Sequence, residues 1–166
     1  MHDSRSATRL SFRPAADVDR QTLDAVIAQS FAATRFAEVP SYALRAAFER
    51  PAPDAQAIVA ERARTVVGFG LFGTVAGTIG TARINFIGVP TAERRRGIGS
   101  RVCEAAVSQL IDQGARSVVA ELPDDPLFVG GRALLARCGF VEVSRVADYY
   151  SDGIDLLILE RSIGRV

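Results

Sequence analysis

Residues 86–102 read Phe86-Ile87-Gly88-Val89-Pro90-Thr91-Ala92-Glu93-Arg94-Arg95-Arg96-Gly97-Ile98-Gly99-Ser100-Arg101-Val102. An extended apolar run ends at Val89, three consecutive arginines and Gly97-Ile98-Gly99 follow, and the chain enters an amphipathic helix with Ile98, Val102, Ala106 and Leu110 on one ridge. Glycine lets backbone approach a ligand closely, and a helix N-terminus offers unpaired N–H groups with a dipole worth about 0.3–1 kcal/mol per neighbouring negative charge. The turn therefore suits a pyrophosphate, with Arg94, Arg95 and Arg96 adding long-range attraction and Ser100 a hydroxyl donor. On this reading a side chain at Gly99 would occupy the room the pyrophosphate needs. The alternative is a plain strand-to-helix turn with a solvated arginine edge, so the rest of the chain has to decide.

Outward from this turn, Arg9–Arg13 reads as a short strand ending at Pro14, then a helix with Asp17 as cap and Leu23, Val26, Ile27 and Phe31 on one face. A second helix spans Ser41–Phe48, with a loop over 33–41 between the two. Ala57–Ala60, Thr65–Val75 and Thr81–Val89 read as an antiparallel meander. The central helix from Gly97 stops at Gly114, Ser117–Glu121 is a strand, and Asp125-Pro126 caps a further helix that Gly139 ends. Phe140–Val146 and Ile154–Glu160 close the chain as two strands joined by Ala147–Gly153. This order predicts an α+β fold: a single mixed, mostly antiparallel sheet flanked by helices, in one domain over residues 8–166 behind a disordered tail at 1–7.

Composition removes several chemistries. All 20 basic residues counted as Lys+Arg are arginine, which excludes Schiff-base lysines and the P-loop lysine. There is no third glycine at the Rossmann spacing after Gly99. The one histidine is His2, in the expected tail, so Ser-His-Asp, Cys-His and His-Glu-x-x-His arrangements are unavailable and no metal is expected. The formal net charge is +1 and the basic residues are dispersed, which argues against nucleic acid. No apolar run reaches the roughly 18 residues of a spanning helix, so a cytoplasmic protein without a membrane partner is expected. Cys103 and Cys138 are expected to be reduced packing residues.

The turn resembles the signature of the GNAT superfamily, [RQ]-x-x-G-x-[GA] at a helix start after the fourth strand, matched by Arg94, Gly97 and Gly99. Val89 stands where that family has a strand-end valine, Cys138-Gly139-Phe140 matches the glycine-phenylalanine after its next helix, and the element order agrees from about Arg9 to Arg161. The resemblance implies transfer of acetyl from acetyl-CoA, a co-substrate, to a primary amine on a small molecule or a peptide N-terminus. It implies that the fourth and fifth strands splay, that Ile87 and Val89 pair with the pantetheine arm, and that Arg94, Arg95, Arg96, Gly97, Ile98, Gly99 and Ser100 hold the pyrophosphate. A silent acyl-CoA-binding sensor is the alternative, and a homodimer is left open.

Direct attack needs a neutral amine, a proton acceptor and stabilisation of the thioester oxyanion. Glu121 ends the strand Ser117–Glu121 where ribosomal-protein alanine acetyltransferases of this superfamily carry a basic glutamate; burial would tune it, and a solvated strand end is the competing reading. The family's general-acid tyrosine corresponds to Leu135 and its CoA-contacting asparagine to the neighbourhood of Phe128, so Tyr149 and Tyr150 are the substitutes for the acid and, by resemblance, walls of an acceptor pocket. Asp152 and Asp155 either attract an ammonium group or belong to an ordinary turn.

Overall fold

The computed structural model describes residues 9–31 and 34–164, so the expected tail at 1–7 lies outside the described residues. The chain runs β1 (Ser11–Pro14), α1 (Arg20–Phe31), α2 (Glu38–Glu49), β2 (Gln56–Arg62), β3 (Thr65–Thr74), β4 (Thr81–Gly88), α3 (Ile98–Asp112), β5 (Ser117–Pro123), α4 (Val129–Arg137), β6 (Val141–Ser151) and β7 (Ile154–Ser162). The strands form one seven-stranded sheet in the order β1-β2-β3-β4-β5-β7-β6. Every adjacent pair is antiparallel except β4 with β5. A parallel pair needs a crossover, and α3 provides it.

Helices cover both faces. Leu23, Ile27 and Phe31 of α1 and Leu44 of α2 pack on Val59, Phe69 and Leu71. On the other face Cys103, Ala106, Val107 and Leu110 of α3, with Leu135 of α4, meet Ala82, Ile84, Val118, Ala120 and Leu157. Fully buried side chains such as Phe69, Leu71, Leu110 and Leu157 each contribute about 1.5–3 kcal/mol by leaving water. Among the described residues no helix is long and apolar enough to cross a membrane.

Local chemistry departs from the sequence reading at three places. Asp17 does not cap α1; a 3-10 turn over Asp17–Asp19 precedes the helix, and Asp19 accepts from the Ala16 N–H at 2.8 Å while holding Arg13 at 2.7 and 3.0 Å. A buried carboxylate with three donors is better satisfied than a solvent-facing cap. The loop expected over 33–41 is mostly helical: a 3-10 turn over Arg35–Ala37 leads into α2, whose first turn absorbs Pro40 because the missing N–H has no partner there anyway. Ala147–Gly153 is not a free loop either. β6 continues to Ser151, with a wide bulge between the pairs Val146–Leu156 and Ser151–Ile154.

Candidate active site

β4 and β5 pair only over Thr81–Ile84 and Ser117–Ala120. Beyond them β4 continues to Gly88 on β3, and β5 to Pro123 on β7, so the two strands bound a wedge in the middle of the sheet. β4 is further displaced by a bulge: Leu71 pairs with Phe86 and Phe72 with Ile84, which leaves Asn85 as the extra residue. Bulges re-aim side chains. Phe86 accordingly joins the α1–α2 core, whereas Ile84 stays in the α3–α4 core.

The turn after β4 presents a row of donors. Gly97 adopts φ +73°, Arg95 φ +61°, and α3 begins at Ile98 rather than at Gly97. The backbone N–H groups of Arg95 through Ser100 donate to no other described residue, so the helix start keeps its donors unspent. The arginines divide the work differently from the expectation that all three serve an anion. Arg94 donates through Nε to the Val89 carbonyl at 3.0 Å and through Nη2 to Ser30 Oγ at 3.2 Å, which ties the turn to β4 and α1. Arg96, with Arg62, pairs with Glu93. Arg95 makes no hydrogen bond or ion pair with another described residue.

Gly97 is open: nothing lies within 4 Å of the point a Cβ would occupy. Gly99 is the reverse: a Cβ there would stand 2.4 Å from Leu134 Cδ1. The end of Leu134 on α4 thus lies where a Gly99 side chain would stand. The Ile98 side chain is buried with Val102, so only its N–H belongs to the turn. Ile87 is likewise half-buried, packed against the core on the α3 side of the sheet.

At the wedge, Glu121 lies on the α1–α2 side with 39% of its side chain exposed, and Arg83 Nη2 donates to its Oε1 at 3.2 Å. The expected burial of Glu121 is not observed. Arg83, between the buried Ala82 and Ile84, points through the strand alternation to the same side. An aromatic wall faces them. Phe36 meets Phe128 edge-on at 5.2 Å and Tyr150 at 5.9 Å, and Tyr150 meets Tyr149 at 5.0 Å. Burial, then the charge of Glu121, then Tyr149 push the Tyr150 hydroxyl above its ordinary range, so it remains a neutral donor. Tyr149 is 60% exposed at the rim.

Asp155 and Asp148 brace the hairpin. Asp155 accepts from the Asp148 N–H at 3.0 Å and from Arg145 at 2.9 Å, and these bonds lower its pKa. Asp148, at φ +51°, accepts in turn from the Gly153 N–H at 2.7 Å, and this bracing sets the bulge that carries the tyrosines. Cys103 and Cys138 are free and buried, and burial pushes both thiols up. Leu135 is core. Sequence reasoning missed Arg83, Asn85 and Phe36. The available signal was Arg83 itself, a charge flanked by apolar residues inside an inner strand.

Three solved structures share this fold. A GNAT-family protein from Desulfovibrio desulfuricans is 19% identical with TM-score 0.83, covering 94% of this chain and all of that one. A Salmonella typhimurium protein solved with its cofactor acetyl-CoA is 15% identical with TM-score 0.76 and 95% of each chain covered. The ribosomal-protein-alanine N-acetyltransferase from Brucella melitensis is 20% identical with TM-score 0.72, covering 92% of this chain and 99% of that one. No curated protein matches the chain by sequence. The sequence pattern of the Acetyltransferase (GNAT) family matches residues 25–140, well over half of the 166 residues and inclusive of the wedge, the donor turn and Glu121. The chain therefore belongs to the GNAT family of acetyltransferases.

Proposed function

We propose that this acetyltransferase moves the acetyl group of acetyl-CoA directly onto a primary amine at the wedge between β4 and β5. The observation that carries the reading is the wedge itself, with an anion-ready helix start at one end and a carboxylate beside a neutral tyrosine at the other. The unspent N–H groups of Arg95–Ser100, with Ser100 Oγ and the Arg95 side chain, hold the pyrophosphate, and Arg94 and Arg96 brace the turn. The free edge of β4 beyond Ile84, with Ile87 and Val89, borders the pantetheine arm.

The amine enters from the α1–α2 side. Its proton passes to Glu121, directly or through a water, as the new C–N bond forms. The C–S bond breaks and the sulfur leaves as a thiolate. Thiols have a pKa of about 8.5, so this group needs little help, and Tyr150, kept neutral by burial and the charge of Glu121, returns a proton to it. Leu135 at the family's usual tyrosine position is thereby accounted for.

Thiol release from acetyl-CoA, measured with and without a panel of primary amines, tests the reading. Amine-dependent release is expected, together with a rise in melting temperature on adding acetyl-CoA. Binding without amine-dependent release would leave a silent acyl-CoA-binding module.

A further inference from the structure

We infer that the acceptor carries a carboxylate next to its amine, as a free α-amino acid does, with Arg83 reading the carboxylate while Glu121 takes the amine; this rests on the acyl-transfer reading above. Arg83 is incompletely used as it stands. Among the described residues its Nε–H, out of reach of solvent, has no partner, and its side chain makes a single hydrogen bond, 3.2 Å from Nη2 to Glu121. An unpaired buried donor is unfavourable, so the guanidinium gains from any swing that hands Nε and a terminal nitrogen to an anion. A planar fork of this kind matches a carboxylate in bidentate geometry.

The surroundings point the same way. Arg83 and Asn85 line one wall of a cleft of about 510 Å³ between α2 and the sheet. Arg50 and Asp54 are the other charged lining residues. Arg50 forms no ion pair with another described residue. Val39 and Ala46 supply apolar surface for a side chain. Arg83 and Glu121 are one hydrogen bond apart, so groups bound to each sit a few ångströms from one another, as amino and carboxyl groups do on a single carbon. A zwitterion replaces the Arg83–Glu121 pair with two pairs of its own. A peptide N-terminus places a neutral amide at the guanidinium and forgoes the bidentate, charge-assisted pair that a carboxylate makes there.

The test uses the full chain with methionine, leucine and phenylalanine, each as the free acid and as the amide. Thiol release from acetyl-CoA is followed, and binding to the CoA-saturated protein is measured by calorimetry. At least one free acid is expected to exceed its amide tenfold or more in kcat/KM. Arg83→Ala is expected to erase that preference by raising KM for the acid tenfold or more, with KM for the amide nearly unchanged, and Arg83→Lys to recover part of it. If the Ala variant does not fold, Arg83→Gln keeps the stem and serves instead; the acid-to-amide comparison in the unaltered protein requires no variant. Equal use of acid and amide, preference for the amide or for a peptide amine, or no binding of any acid at millimolar concentration would overturn the inference. Failure of acetyl-CoA to shift the melting temperature would instead remove the acyl-transfer reading beneath it.

Discussion

Leu134 Cδ1 of α4 lies where a Cβ on Gly99 of α3 would stand, so a side chain at Gly99 has to displace the tip of Leu134. Alanine normally gains about 1 kcal/mol over glycine inside a helix. Here overpacking, typically about 1–3 kcal/mol, outweighs that gain. Gly99→Ala is therefore expected to lower stability in urea unfolding. In a Leu134→Ala background the same substitution should become neutral or stabilising, and additivity of the two would show that the contact is not tight.

Gly97 tests the donor turn without that complication, because space around it is open. Its φ of +73° costs a side chain about 1–2 kcal/mol. Gly97→Val should fold with a modest loss of stability and bind acetyl-CoA at least tenfold more weakly by calorimetry, as the N–H groups of Arg95–Ser100 lose their common direction. Unchanged affinity in the folded variant would place the phosphates elsewhere.

For Glu121, the amide isostere separates proton transfer from position. Glu121→Gln should lower kcat by about 10²–10⁴-fold with little change in CoA affinity. An unchanged rate would reduce Glu121 to the exposed partner of Arg83.

The two tyrosines should separate clearly. Tyr150 is packed against Phe36 and its hydroxyl is held above the ordinary range, so its neutral donor form persists to higher pH and any alkaline limb it contributes lies above about pH 10. Tyr150→Phe should remove that limb and lower kcat by about tenfold, less than the usual 10²–10⁴-fold of acid catalysis because a thiolate leaves readily. Tyr149→Phe, at the exposed rim, should change KM for the amine more than kcat. The reverse order of effects would exchange their roles.

Asp19 gives a stability signature. Its side chain is 5% exposed, and the bonds from Arg13, then the Ala16 N–H, hold its pKa below the ordinary 3.8. A lowered carboxylate stabilises the fold fully above its unfolded value, and the contribution drains away as pH falls through the folded one. Asp19→Asn should cost roughly 1.5–3 kcal/mol at pH 7, and the gap between variant and parent should close below about pH 4 in urea midpoints. A gap independent of pH would mean that shape, not charge, is what Asp19 supplies.

Much of this protein is legible along the chain because it is locally encoded. Periodicity marks the face of α3 through Ile98, Val102, Ala106 and Leu110, and all four are buried. Asp125 accepts from the Leu127 N–H at 2.9 Å, and Gly139 at φ +82° stops α4, as side-chain capping and left-handed glycine require. The donor turn was readable for the same reason: its row of N–H groups belongs to one continuous segment.

What the sequence could not determine are relations between segments distant along the chain. Arg83 is close to Glu121 only because β4 and β5 run parallel in register, and its reach to the acceptor side depends on the face that strand alternation assigns it. Asn85 acquires a role only once Phe72 and Leu71 choose Ile84 and Phe86 as partners and leave it out of register. Gly99 has Leu134 beside it only because α4 lies against α3. Short-range propensities and hydrogen bonds therefore determined the elements and the donor turn, whereas strand pairing and helix packing, which act across many tens of residues, decided the company each side chain keeps.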